Sequence, residues 1–369
     1  MGFVPPPYPY ERLDEHRARA AALDGGAVDL SAGTPTDPPP RFVLDAMTVA
    51  DAERGYPPSM GSAALREAAA GWLERRFGVD VPVAQVAACI GTKELVAGIP
   101  QWLRLRSPDR DTVLYPEVSY PTYAMGATLA GCRPVPVHLD DKWRVDLSAI
   151  SEADAARALC LWVNTPGNPA GGLDDLEAAA AWGRARGIPV ISDECYAEFT
   201  WDGPARSVLE HGTDGVLAVH SVSKRSNLAG LRVGFYAGDG DLVAYLAEVR
   251  KHVGLMVPGP AQAGAAAALG DDHHVADQRD RYWERLDYFA GVLGRAGLPC
   301  DLPGGAFYLW TPAPDGDEWA CVERLAADGG AVVAPGEFFR AGGTGRVRVA
   351  MVQGMDRLRL VAHRLGVDT

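Results

Sequence analysis

VHSVSKRSNLAGLRVGF, residues 219–235, opens on the end of one apolar run and closes on the start of another. Between them stand Ser221, Ser223, Lys224, Arg225 and Arg232, a concentration of hydroxyl and positive charge at the mouth of what reads as a buried sheet. A lone lysine is ordinarily a solvated surface residue. Here the flanks change the expectation: an amine at a desolvated strand end beside other cations has a lowered pKa and becomes a nucleophile suited to Schiff-base formation. Ser221, Ser223 and Arg232 offer what a phosphate requires, hydroxyl donors and a guanidinium fork.

Outward from this stretch, from about residue 40 to 265, short apolar runs alternate with Ala-rich amphipathic segments. VAACI (86–90), TVLY (112–115), RPVPV (133–137), LCLWV (159–163), IPVIS (188–192), VLAVH (216–220) and RVGFYAG (232–238) read as strands buried on both faces. AALREAAAGWLERRF (63–77), KELVAGIPQWLRL (93–105) and DDLEAAAAWGRARG (174–187) read as helices. The alternation predicts an α/β fold, a large domain whose mainly parallel seven-stranded sheet is covered by helices and collects its ligands at the carboxyl ends of the strands. After about residue 270 the pattern changes to a long helix (275–297), then GAFYLW, a helix, GAVVAP, GRVRVAMV and a closing helix, a smaller α+β unit. The proline-rich opening, with SAGTPTDPPP at 31–40, reads as an extended arm and crossing loop. The expected division is 1–39 as arm and small-domain segment, 40–269 as the large domain and 270–369 as the small C-terminal domain.

A chain of 369 residues that is 47% hydrophobic supports a substantial core and more than one domain. Its net charge of -13, with no run of basic residues, argues against nucleic acid or an anionic membrane surface as a partner. The opening MGFVPPPYPYERLDEHRA has neither a signal-peptide nor a transit-peptide pattern, and no stretch is long and apolar enough to span a bilayer, so a cytoplasmic location is expected. Six scattered cysteines without a CxxC pair are expected to be reduced core fillers. The DDHH of Asp271–His274 has no second ligand cluster at suitable spacing and reads as a solvated turn, with no metal expected.

Five further motifs follow strand-like runs. GTKE (91–94) sits between VAACI and a helix, where backbone amides form an anion site and Gly91 permits close approach. It lacks the glycine pattern of a dinucleotide loop or a P-loop. SDECY (192–196) puts Asp193 just past a buried segment, a costly place for a carboxylate unless a cation or donor faces it; an N-cap or local salt bridge is the plainer reading. NTPGNPAGG (164–172) is a turn with Asn164 and Asn168 each beside a proline. VSYPTY (118–123) offers Tyr120 as a flat aromatic face, or simply a packed loop tyrosine. Arg346 and Arg348 share one face of a strand pattern, as solvated edge residues or a carboxylate clamp.

The joint order of these motifs, over nearly the whole chain, resembles the fold type I pyridoxal-phosphate aminotransferases of classes I and II. The resemblance rests on NTPGNP, SDECY and SVSKRSNLAGLRVG. It implies pyridoxal 5'-phosphate as cofactor, held as a Schiff base by Lys224, with Asp193 paired to the pyridine nitrogen. Tyr196 and Asn168 would hydrogen-bond the ring oxygen, and Tyr120 would stack on the ring. Gly91, Thr92, Lys93, Ser221, Ser223 and Arg232 would line the phosphate and Schiff-base site, joined by Tyr56 of RGYPPSMG from the partner subunit of a homodimer. Arg348, helped by Gly33 and Asn168, would clamp the substrate carboxylate. Ala170 departs from the usual Thr after Asn-Pro; Asn168 remains the contacting residue.

The same resemblance implies ping-pong exchange between an amino-acid donor and a 2-oxo-acid acceptor. Within the family, GTKE, EVSYPTY, SDECY, LAVHSVSKRSNLAGLR and RKHVGLMVPGPAQAG are most similar to the succinyldiaminopimelate aminotransferases of lysine biosynthesis. Arg41, Lys93, Arg225 and Lys251 are then candidates for the substrate's distal carboxylates. Aspartate, alanine, aromatic or LL-diaminopimelate aminotransferases would share every cofactor residue. A carbon–sulfur lyase would share them too. So would a non-catalytic cofactor-sensing protein, although no DNA-binding region is appended here.

Overall fold

The Ser62 hydroxyl accepts the Leu65 N–H at 3.2 Å, and Gly78 takes a left-handed φ of 67°, so the Ala-rich run between them is a helix closed at both ends. Asp175 with Gly187, and Asp239 with Gly254, bound two further helices in the same way. The computed structural model describes residues 2–48 and 52–367 and divides into two units. Met1–Asp37 supplies α1 (Asp14–Ala21) and β1 (Val28–Asp29) to the smaller unit. The larger unit, Pro38–Arg279 with Gly304–Ala306, begins with α2 (Arg41–Ala46), α3 (Ala63–Phe77), β2 (Val86–Cys89), α4 (Thr92–Arg106), β3 (Thr112–Pro116), α5 (Thr122–Leu129) and β4 (Arg133–Val137). It continues through α6 (Glu152–Ala156), β5 (Ala158–Asn164), α7 (Leu176–Arg186), β6 (Val190–Asp193), β7 (Val216–Ser221), α8 (Val222–Arg225), β8 (Gly234–Gly238), α9 (Gly240–Val253) and α10 (Gly259–Leu269). The chain leaves it along α11 (His273–Arg295); β9 (Tyr308–Pro312), α12 (Glu318–Gly329), β10 (Ala331–Val332), β11 (Ala334–Pro335), β12 (Arg346–Ala350) and α13 (Met355–Arg364) complete the smaller unit.

The seven apolar runs form one seven-stranded sheet in the order β2-β8-β7-β6-β5-β3-β4. β8 runs antiparallel to both its neighbours, β2 and β7; the pairs among β7, β6, β5, β3 and β4 are parallel. Because side chains alternate along a strand, the sheet separates two apolar layers. Val86, Ala88, Leu161, Val163, Val190 and Ala218 enter one layer; Ala87, Cys89, Trp162, Ile191, Leu217 and Val219 enter the other. RPVPV corrects the expectation of burial on both faces. It is the edge strand β4, exposed at Arg133, Pro134 and Pro136, because a proline has no N–H for a further ladder and is tolerated only where no strand follows.

In the smaller unit β11, β12 and β9 form an antiparallel sheet, and β1 pairs parallel with β10. The N-terminal stretch expected as an extended arm contains α1, which packs on α12. No described helix is long and apolar enough to cross a membrane.

Gly238, at the end of β8, has a φ of 147°, and a Cβ there would press on the Val216 carbonyl oxygen, with Leu217 Cα at 3.1 Å. Both are backbone atoms of the neighbouring strand and cannot turn aside. Gly238→Ala is expected to lower the unfolding free energy by about 3 kcal/mol, measured by denaturant titration. Gly294→Ala, in α11 with open space around it, is expected to change stability by less than about 1 kcal/mol.

Candidate active site

The sheet register brings the strand exits together. Cys89 pairs with Gly234, Gly234 with Ser221, Val219 with Asp193, and Asp193 with Asn164. Adjacent strands lie about 4.8 Å apart, so the chains leaving β2, β7, β6 and β5 emerge side by side. These exits carry GTKE, SVSKR, SDECY and NTPGNP. The segment between β7 and β8, residues 222–233, holds the one-turn helix α8, with Lys224 half-buried on it, and then a 3-10 turn at Ala229–Leu231.

At the β2 exit Gly91 has a φ of 69° and precedes the first residue of α4. A Cβ on Gly91 would strike the Arg232 guanidinium, so this glycine is what lets the arginine lie against a helix N-terminus. Arg232 is itself in the left-handed region, φ 56°, and its Nη1 donates to Ala229 O at 2.9 Å, which fixes the fork. Ser221 Oγ accepts the Ser223 N–H at 3.1 Å, and both serines are buried. Thr92 Oγ1 lies 3.4 Å from Cys195 Sγ, tying this exit to that of β6. Guanidinium, amides and hydroxyls together form an anion site.

Asp193 ends β6 at 9% exposure. Its Oδ2 accepts from the Tyr123 hydroxyl at 2.8 Å and its Oδ1 from the Cys195 N–H at 3.2 Å. Burial pushes the carboxyl pKa above its ordinary value, and the two neutral donors offset that only in part. The N-cap reading does not hold, because the residues that follow form a 3-10 turn at Ala197–Phe199 capped from Tyr196. Sequence reasoning missed Tyr123. Its signal was the spacing from Tyr120: α5 starts at Thr122, so Tyr123 lies in the first helical turn and is buried, while Tyr120 precedes the helix. Asn164 is a second residue whose role only the structure shows. Its Nδ2 donates to Asp193 O at 2.9 Å and its Oδ1 accepts the Asn168 N–H at 2.9 Å, so one side chain holds the NTPGNP loop against the β6 exit.

Tyr196 and Asn168 are both 7% exposed. Tyr120 is partly buried against the apolar layer, with Lys93 Nζ 5.8 Å from its ring centroid. Of the cations considered for distal carboxylates, Arg225 is corrected, being buried and paired with Glu198. Arg41 is exposed beside Asp45, and Lys251 exposed beside Glu248. The DDHH segment is not a solvated turn: Asp271 accepts the His274 backbone N–H at 3.0 Å, and Asp272 pairs with Arg75 at 3.0 Å. Tyr56 is 97% exposed.

Gly33 and Arg348 belong to the smaller unit. Arg348 is 1% exposed, which excludes a solvated edge. Its guanidinium lies 4.3 Å from the Tyr308 ring centroid and 4.6 Å from that of Phe339, and it donates to the Tyr10 hydroxyl at 3.1 Å and to Ser31 O. A Cβ at Gly33 would collide with the Tyr308 hydroxyl. Arg346, its strand neighbour on the same face, donates to Trp310 O at 3.0 Å.

The sequence profile described as Aminotransferase class I and II matches residues 26–364. The chain is 41% identical to the 4-dedimethylamino-4-oxo-anhydrotetracycline transaminase of Streptomyces rimosus, over 98% of this chain and 99% of that one. It is 32% identical to an LL-diaminopimelate aminotransferase of Aquifex aeolicus, over 98% and 96%. The solved structure of a probable N-succinyldiaminopimelate aminotransferase from Thermus thermophilus superposes with a TM-score of 0.87 at 31% identity, covering 96% of this chain and 98% of that one. With its helix-covered seven-stranded sheet and this match along almost its full length, the chain belongs to the class I and II aminotransferases, the pyridoxal-phosphate-dependent transaminases of fold type I.

Proposed function

We propose that the strand exits of the larger unit hold pyridoxal phosphate covalently at Lys224, and that the substrate pair is N-succinyldiaminopimelate and 2-oxoglutarate. The observation that carries the cofactor placement is Asp193, a buried carboxylate oriented by neutral donors, one strand away from the strand that delivers Lys224. Such an anion fits a protonated pyridine nitrogen. The Gly91–Arg232 cradle fits a phosphate.

When bound, pyridoxal phosphate supplies an aldehyde that captures an amine and a ring that takes up the electron pair left by a departing proton. Lys224 would hold that aldehyde carbon, and its amine, when free, would serve as the base and acid that carries a proton to and from the substrate's α-carbon. Asp193 would keep the ring nitrogen protonated. Arg232, Ser221, Ser223, Gly91, Thr92 and Lys93 would hold the phosphate end, Tyr120 would face the ring, and Tyr196 and Asn168 would serve its oxygen. In the smaller unit, Arg348 with Gly33 would serve the substrate α-carboxylate. The exposure of Tyr56 supports a homodimer in which it serves the partner's phosphate site. All six cysteines are free thiols, which supports a cytoplasmic enzyme.

The Thermus thermophilus structure and the LL-diaminopimelate relative support a long substrate with more than one carboxylate. The higher identity to the Streptomyces rimosus transaminase supports a second reading, amination of a bulky cyclic ketone. A half-reaction screen separates them: amino donors are added singly to the purified holoenzyme and the cofactor absorbance is followed, with Lys224→Ala as blank. N-succinyldiaminopimelate is expected to convert the chromophore with a kcat/KM about 100-fold above aspartate, alanine, aromatic amino acids or LL-diaminopimelate, a gap equal to one added charge-assisted contact. A bulky cyclic amine that outruns every dicarboxylate would select the second reading. Pyruvate and ammonia formed without a keto acid would indicate a lyase.

Gly91→Ala is expected to weaken pyridoxal-phosphate retention by about 10–100-fold, since its Cβ displaces the Arg232 fork; dialysis followed by reconstitution titration measures it.

Asp193 also predicts a pH effect on the cofactor-free protein. Its folded pKa lies above the unfolded value near ~3.9. The native state therefore carries a cost that is absent below the unfolded pKa and grows as pH rises through the folded one. Asp193→Asn removes that cost. The variant's melting temperature is expected to exceed wild type at pH 8, with the gain vanishing below about pH 4, in thermal melts of apoprotein across pH.

A further inference from the structure

Lys224 is followed directly by a second cation that the fold commits to a different task. On a helical turn adjacent side chains point about 100° apart, so when Lys224 faces one way Arg225 faces another. Arg225 is 3% exposed. Its Nη1 donates to Ala268 O at 2.7 Å and to Ser226 Oγ at 3.1 Å, its Nε lies 3.4 Å from Glu198 Oε1, and its guanidinium stands 5.5 Å from the Trp72 ring centroid. Glu198, 5% exposed, also accepts from Trp72 Nε1 at 2.8 Å and from Arg76 Nε at 2.8 Å. The groups facing this pair are thus Arg76 and Trp72 from α3, Asp272 3.8 Å from Arg225, and His274, whose ring bridges Asp271 Oδ1 at 2.6 Å and Ser226 Oγ at 2.8 Å.

Removing such charges from water is costly, and only a network in which every member is satisfied repays it with rigidity. What the network joins gives that rigidity a use. Glu198 follows Asp193 and Tyr196 on the chain leaving β6, and Arg225 adjoins Lys224 on the chain leaving β7. The backbone ladder between these strands reaches Asp193, paired with Val219, and ends with the Glu194 N–H donated to Val219 O, short of Tyr196 on one chain and Lys224 on the other. α8 is a single turn of four residues, too short to hold its own geometry.

We propose that Arg225 is a positioning residue: through Glu198 it locks α8 to the β6 exit and so sets where the Lys224 amine stands relative to Asp193. The proposal rests on Lys224 being the point of cofactor attachment.

The test uses the holoenzymes of Arg225→Met, Arg225→Lys and Glu198→Gln. Three quantities are read: borohydride-trapped adduct at residue 224, the pH midpoint of the bound cofactor's absorbance, and kcat and KM separately. Arg225→Met is expected to keep the adduct, shift the midpoint by about half a unit or more, and lower kcat about 10–100-fold with KM for the amino donor within about threefold, as a misplaced reacting group does. Arg225→Lys should recover part of both shifts. A lower melting temperature with wild-type midpoint and kcat would show a merely structural role and overturn the proposal. If Arg225→Met is insoluble, wild-type midpoints in both Arg225→Lys and Glu198→Gln overturn it equally. Absence of a trapped adduct in the wild type would instead strike the assignment of Lys224, and this proposal with it.

Discussion

A carboxylate kept at the end of a buried strand is the constraint on which this structure turns. Asp193 is oriented by a tyrosine hydroxyl and a backbone N–H, donors that hold an anion without cancelling it. A buried charge left in that condition raises the energy of the folded chain. The surrounding sheet tolerates this because β5 and β7 flank β6 in parallel register and Asn164 clamps the neighbouring loop to the Asp193 carbonyl. In the proposed function, the free energy withheld from folding would be available to a cationic ring.

Other buried charges in the larger unit are treated in the opposite way. Arg250, 1% exposed, grips Glu94 with two hydrogen bonds of 2.9 and 2.6 Å, and Glu94 also accepts the Ile90 N–H at 2.8 Å. Glu94 lies in the first turn of α4, where an uncompensated carboxylate would repel an incoming phosphate. With its charge matched by Arg250, the helix N-terminus keeps its attraction for anions, and Arg232 adds to it across Gly91. The Glu198 network does the same at the other exit.

Much of this was legible beforehand. Seven apolar runs bounded by turn residues marked seven strands, and the Ala-rich run 63–77 became α3 over the same residues, because buried parallel strands and capped helices leave strong local patterns. RPVPV misled, since an edge strand and a central strand share an apolar composition and differ only in what pairs beside them. The N-terminal helix α1 was hidden among prolines and charged residues. Tyr123 and Asn164 were invisible as site residues, for their roles consist of hydrogen bonds to a strand distant in sequence. Arg225, read as a candidate for a substrate carboxylate, and the DDHH segment, read as a solvated turn, were both misread because their partners, Glu198, Arg75 and Ser226, lie far away in sequence.

By itself the sequence determined the seven strands of the larger sheet, the Ala-rich helices between them, and that GTKE, SDECY, NTPGNP and SVSKR stand at strand exits, because these follow from periodicity and turn chemistry within some twenty residues. Strand order, and therefore which motifs meet, was decided only by the tertiary structure. So was the sorting of its cations, with Arg232 turned to the anion site and Arg225 into the core. That sorting depends on which side of a single turn faces water, and burial is a property of the packed whole rather than of any stretch of chain.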